Sequence, residues 1–248
     1  MHNREQSGSR TASLVWAAII FLALGISLGV SWAGKRPLDL LPTMLRGVVV
    51  TVKLTIGAAL LSFLVAVLAG IARASKVWLI RTVSAFYIEF FRGTSALVQM
   101  FWIFFVLPLP PFRITLTPLQ AGIMALGLNV GAYGAEVVRG AILAIPRSQI
   151  EATIALNMPP GLRMRKVILP QAMIRILPPF GNLLIELLKA TALVSLITLS
   201  DVTFQALSLR QTMGRTKEIF TLLLAIYFLL AYPLTLGVRW LERQRRWA

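Results

Sequence analysis

Residues 54–72 read LTIGAALLSFLVAVLAGIA, 19 positions without a charged side chain. About 20 such residues in a helix cover the roughly 30 Å of hydrocarbon in a bilayer. A helix on a water-facing surface would carry a polar stripe every third or fourth residue, and none is present. A strand of a membrane barrel would alternate polar and apolar over about ten residues, and this segment does not. Comparable charge-free runs occupy 14–34, 93–112, 114–135 and 219–238. A further stretch, 176–200, is interrupted only by Glu186 and Lys189. The expectation is an all-α polytopic membrane protein with about six spans.

Composition agrees and narrows the chemistry. Of the 248 residues, 57% are apolar and 14% charged, against about 25% charged in a soluble domain. Lys and Arg number 25 and acids 9, a net charge of +16. Cysteine is absent and His2 is the single histidine, so thiol chemistry and zinc sites built on thiolates or histidines are excluded. Neither a catalytic constellation nor a metal cluster is expected. The basic residues lie between the spans. Fourteen of them, including Arg73, Lys76, Arg81, Arg147, Arg163, Arg165, Lys166, Arg175 and Arg239, fall on one face if six spans alternate. Seven, including Arg46, Arg113, Arg210 and Arg215, fall on the other. That two-to-one excess places both termini in the cytoplasm and marks orientation, not a nucleic-acid groove. Residues 1–13 then form a cytoplasmic tail, and 14–34 an uncleaved first span, since the run exceeds the 7–15 residues of a signal peptide. Residues 243–248 form a basic cytoplasmic tail.

One connector is unusual. From 145 to 170 the chain reads IPRSQIEATIALNMPPGLRMRKVILP. Pro146 is expected to open a helix running to about Asn157, where Pro159-Pro160 ends it. A second, basic helix is expected over 161–169, stopped by Pro170. From composition alone, this pair reads first as an amphipathic element lying in the headgroups, ahead of a knob for another protein to grip.

The order of residues selects the second reading. Glu151-Ala152-Thr153, then Asn157, Val167, Leu169 and Pro170, resembles the signature loop of ATP-binding-cassette importer permeases. The spacing is kept, with Thr153 in place of Ala, Asn157 in place of Gly and Val167 in place of Ile. Further segments are similar to the polar amino-acid branch (His, Glu, Gln, Arg and opine type): 91–94 (FRGT), 98–99 (VQ), 133–140 (YGAEVVRG), 169–172 (LPQA), 188–195 (LKATALVS) and 241–243 (LER). The resemblance covers about 43–246 and implies the transmembrane domain of a type I importer over 43–242. It would have a five-helix core, the extra first span before it, and a coupling loop over 144–170. It implies a permease pairing with a second copy or a paralogue, two cytoplasmic ATPase subunits and a periplasmic or lipid-anchored binding protein. All would sit in or on a bacterial inner membrane. ATP and Mg would bind the partner ATPases, since no G-x-x-x-x-G-K-[ST] loop occurs here and the chain itself needs no cofactor. Residues 95–97 (SAL) stand where the common pattern has Pro-Leu-Leu, and are similar to the ectoine and hydroxyectoine importers. By the same resemblance Glu151 would anchor the loop in a groove of the ATPase. At Asn157 the family Gly would permit φ > 0, and Asn is the next most tolerant residue.

Polar residues inside the apolar runs complete the reading. Glu89 with Arg92, Glu136 with Arg139, and Glu186 with Lys189 share an i,i+3 spacing that places each pair on one helix face. The first two are expected as structural ion pairs, and the third in a substrate path or gate. Gln99, Asn129, Tyr133, Thr191 and Ser195 join that path, since a zwitterion needs hydrogen-bonding, mostly uncharged groups. Gly127, Gly131 and Ala135 form a small-residue face for close helix packing. A stand-alone secondary transporter is the competing reading. It should show inverted repeats and helices broken at the midplane, and no repeat is visible.

Overall fold

A computed structural model describes residues 40–244, with side chains to residue 240. The expected first span and both terminal tails, except for the backbone of 243 and 244, lie outside the described residues. Helix α1 (Leu41–Arg73) contains the run at 54–72 and extends it by more than three turns at one end. Pro42 lies in its first turn, where the missing N–H has no intrahelical partner to lose. Next come α2 (Trp78–Gly93) and α3 (Ala96–Phe101), the latter continued by a π turn at Trp102–Val106. Then follow α4 (Pro118–Leu143), α5 (Arg147–Ala155) and α6 (Pro160–Arg163). A second π turn (Met164–Ile168) leads into α7 (Leu169–Ala190), which tightens to a 3-10 turn (Thr191–Ile197). Helices α8 (Val202–Met213) and α9 (Thr216–Gln244) end the described chain.

Small residues set the central contact. Gly47, Thr51, Leu54, Ala58, Ser62, Ala66 and Gly70 are buried along one face of α1, recurring every three or four residues. Its Gly47 and Thr51 meet Asp201-Val202 at the start of α8, the rest lies on α4, and α1 against α4 is the most extensive pairing in the fold. The expected small face of α4 meets it. A Cβ on Gly127 would stand 2.7 Å from the Leu61 side chain, and one on Gly131 3.2 Å from Val65. A Cβ on Gly70 would stand 2.6 Å from that of Val138 and 2.7 Å from the Ala135 carbonyl oxygen. In lipid, where apolar association gains nothing from water, such backbone proximity is what dispersion requires. Leu45, Val49, Ile56, Leu60, Leu64 and Leu68 are exposed on α1, as befits a face turned to hydrocarbon.

Three apolar clusters stack along the bundle. Near the 144–170 loop, Ala66, Val138, Ile142, Ile145, Ile168, Ile176 and Phe180 pack together. In the middle, Leu54, Met100, Ala125, Leu126, Leu187 and Val194 do so. At the far end, Leu40, Met44, Val202, Ala206 and Ile219 tie α8 and α9 to α1.

Several boundaries differ from the sequence expectation. Among the described residues four helical stretches, not five, are long and apolar enough to cross a membrane, with α7 counted from Pro160 to Ile197. The expected span at 93–112 is not one helix. The crossing is shared by α2 and α3, broken at Thr94–Ser95. Arg81, Glu89 and Arg92 had cut the charge-free run, yet α2 carries all three on exposed positions. The fourth span starts at Pro118, where Thr117 and Gln120 form a reciprocal capping box, and runs past Glu136 and Arg139 to Leu143. Pro170 does not stop a helix. It occupies the first turn of α7, just after the π turn, where no intrahelical acceptor waits for its nitrogen. Pro178 and Pro179 lie inside α7. There the carbonyls of Ile174 and Arg175 lose their helical donors, which packed neighbours in a membrane bundle tolerate.

Asp201 lies between the spanning segments and caps α8, its Oδ1 accepting from the Phe204 N–H at 2.8 Å. Its Oδ2 is buried with no partner among the described residues. Burial pushes its carboxyl up from 3.8 to about 6. A folded-state value above the unfolded one means that folding takes up a proton between pH 4 and 6. Stability contributed by that proton is full at low pH and is lost as pH rises through the window. Asp201→Asn keeps a capping oxygen without the titration. Thermal unfolding in detergent between pH 4.5 and 6.5 should therefore be flatter with pH in Asp201→Asn than in the parent.

Candidate functional site

The 144–170 loop packs on the bundle by one side and exposes the other. Helix α5 turns Ile150 inward onto the adjacent apolar cluster and buries Thr153, whose Oγ1 donates to the Ile150 carbonyl at 2.6 Å. Glu151, Ala152, Ile154, Leu156 and Asn157 are exposed. Ile154 is thus not paired inward with Ile150, and Leu156 is 76% exposed. The helix ends at Ala155, two residues short of the expected Asn157. Asn157 has φ 51, the left-handed conformation that glycine or asparagine tolerates best. The loop closes on itself and on the bundle. An Arg163 Nη donates to the Met158 carbonyl at 3.2 Å, and an Arg175 Nη to the Ala144 carbonyl at 2.8 Å. Leu169 is half-buried and Pro170 exposed. The apolar cluster and the Arg175 bond thus tie α5 to the ends of α4 and α7.

Inside the bundle the expected polar path divides into separate groups. Gln99 and Asn129 are both buried and bonded to each other, the Asn129 Nδ2 donating to the Gln99 Oε1 at 3.2 Å. Asn129 also donates to the Phe91 carbonyl at 2.9 Å. The Gln99 Nε2 donates to the Phe91 carbonyl at 3.0 Å and to the Thr94 Oγ1 at 2.6 Å. This knot pins the α2–α3 break to α4 and satisfies carbonyls that the interrupted helix leaves without donors. Thr191 and Ser195 are buried, and their hydroxyls donate to the carbonyls of Leu188 and Ala192 within their own helix. Tyr133, Glu186 and Lys189 are exposed on the subunit surface.

Of the three acid–base pairs, one is closed. Arg139 and Glu136 meet at 2.7 Å near the loop end of α4. No ion pair within 4 Å forms among the described residues between Glu89 and Arg92, or between Glu186 and Lys189, although both pairs share the same spacing. Spacing on a helix face brings side chains within reach, but exposed ones are free to turn elsewhere. Arg92 turns to Tyr133, its guanidinium carbon 5.3 Å from the ring centroid.

Three anchoring residues have little signal in the sequence. The Tyr87 Oη donates to the Leu128 carbonyl at 2.6 Å, and the Ser84 Oγ to that of Ala69 at 2.6 Å. Thr94 completes the amide knot. Only the Gly93-Thr94-Ser95 sequence, a helix-breaking composition, pointed there.

The family model described as "Binding-protein-dependent transport system inner membrane component" matches residues 62–247. The "Probable amino-acid ABC transporter permease protein y4tF" of Sinorhizobium fredii is 41% identical over 233 residues, 92% of this chain and 96% of the relative. The "L-cystine transport system permease protein TcyB" of Bacillus subtilis is 34% identical, over 82% of this chain and 86% of its own length. A solved structure titled "Crystal structure of an amino acid ABC transporter with histidines" superposes with a TM-score of 0.76 at 34% identity, covering 84% of this chain and 96% of that one. The architecture is that of a type I importer transmembrane domain, in a multi-pass membrane protein. The chain is a permease subunit and not an enzyme; hydrolysis in such a complex belongs to a separate ATPase. With three quarters of its length matched by one family model, the chain belongs to the family of binding-protein-dependent transport system inner membrane components.

Proposed function

We propose that the chain forms half of the translocation path of an ATP-driven importer for a polar amino acid or a similar small zwitterion, ectoine included. A second permease, identical or paralogous, completes the path. Two cytoplasmic ATPases carry ATP and Mg, and a periplasmic or lipid-anchored binding protein delivers cargo. The complex sits in a bacterial inner membrane with both termini of this chain in the cytoplasm. The basic loop face, with Arg147, Arg163, Arg165 and Lys166, supports that orientation. One observation carries the coupling assignment: α5 presents Glu151 outward from a base fixed by Ile150 and Thr153. Closure of the ATPases tilts α5, and the Arg175 bond and the apolar cluster transmit that tilt to α4 and α7. The amino-acid cargo of the relatives and of the superposed transporter supports the cargo class. The test is an uptake panel of labelled L-amino acids and ectoine in proteoliposomes holding the complete importer. Accumulation of at least one supports the reading, and accumulation of none overturns the cargo class.

A further inference from the structure

Arg92 stands at a depth where a cation needs a reason. The Asn129–Phe91 hydrogen bond and the Arg92–Tyr133 contact set it level with positions 129–133 of α4. Helix α4 runs from Pro118 to Leu143, so at about 1.5 Å per residue either end lies roughly 15–22 Å away. Lipid headgroups are out of reach at that depth, and a guanidinium facing hydrocarbon there is strongly disfavoured, so Arg92 must face an aqueous or protein-lined cavity. It is exposed on the subunit, as is the Tyr133 ring beneath it. No carboxylate pairs with it among the described residues, Glu89 one turn earlier included. The neighbouring amide knot, by contrast, leaves no such surplus, because its buried amides are matched to carbonyls and to each other. The cation is steadied by an aromatic face, which leaves its N–H fork free for an oxyanion.

We propose that Arg92, held over Tyr133, receives the carboxylate of the cargo midway across the membrane. This rests on the amino-acid reading above. A planar guanidinium takes a carboxylate through two parallel hydrogen bonds, which fixes orientation as well as charge. The π stack keeps the fork in place when the site is empty, so little order is lost when cargo arrives.

The chain has no cysteine, which permits a charge-specific test. Uptake would be measured in proteoliposomes holding the complete importer, with other subunits shown to be insensitive to thiol reagents. The probe is whichever labelled L-amino acid the parent accumulates. Arg92→Gln and Arg92→Cys should assemble normally and lose uptake by about a hundredfold, in line with truncation of one partner in a desolvated charge pair. Arg92→Lys should keep a measurable fraction. Aminoethyl methanethiosulfonate, which restores a cation at Arg92→Cys, should raise uptake about tenfold or more, while neutral methyl methanethiosulfonate should not. Near-parental uptake by Arg92→Gln would overturn the proposal. So would equal recovery with both reagents, which indicates volume and not charge. Recovery of Arg92→Gln by Glu89→Gln or Glu186→Gln would also overturn it, by making Arg92 the counterion of a permease carboxylate. If the parent accumulates no L-amino acid, the cargo reading itself falls, and that outcome is distinct from the others.

Discussion

Glu151→Arg is expected to reduce ATP-driven uptake to background while leaving insertion and folding intact. The two halves of that expectation rest on different facts. Glu151 is exposed on α5, whose attachment to the bundle runs through Ile150 and Thr153 on the opposite side. Exposed substitutions away from such anchors usually shift stability by less than about 0.5 kcal/mol. Function is another matter, because Glu151 is the one acid in a loop that also carries Arg147, Arg163, Arg165 and Lys166. A basic groove on an ATPase would meet a like charge after the reversal. Reversing one member of a desolvated interfacial pair costs at least about 2–5 kcal/mol, which is a factor of some 30 to several thousand in binding. ATPase activity in proteoliposomes should persist without responding to loaded binding protein. Full coupling in this variant would remove the assignment of α5.

Gly70→Leu should damage the fold severely. The first added atom would stand 2.6 Å from the Val138 Cβ and 2.7 Å from the Ala135 carbonyl oxygen. A side chain tip could rotate away, but a Cβ and a backbone oxygen cannot move without shifting α4 as a body. Overpacked cores typically lose about 1–3 kcal/mol, and a leucine here should exceed that range because it parts the most extensive helix pair. The variant should express poorly and unfold at lower temperature in detergent. Gly140→Leu is the matched control, since nothing lies within 4 Å of its added Cβ. Similar losses for both would show that helix propensity, not the α1–α4 contact, governs position 70.

Most of this architecture was legible in the sequence because hydrocarbon permits so few solutions. A backbone without water must bond to itself, so long apolar runs become helices. The small face at Gly127, Gly131 and Ala135 was readable for the same reason. The φ 51 of Asn157 followed from comparing one residue with the glycine that the loop pattern expects. The failures share a cause. Counting charges places a boundary wherever a charge appears, so Glu89 and Arg92 were read as flanking a span when they lie within a crossing broken at Thr94–Ser95. Likewise Pro170 was read as a stop, although it lies in the first turn of α7. The amide knot was half visible. Gln99 and Asn129 stood out as lone polar residues, but their partner carbonyl at Phe91 has no sequence signature, since every residue carries one.

In the proposed importer, force from ATP hydrolysis reaches this chain and moves cargo through it. The direct measurement is accumulation of a labelled L-amino acid in proteoliposomes holding the permease, its ATPases and its binding protein, with ATP–Mg on the ATPase side. Accumulation should require both ATP and the binding protein, and should vanish in Glu151→Arg. Accumulation driven by an ion gradient through the permease alone, without ATP, would contradict ATP-driven import.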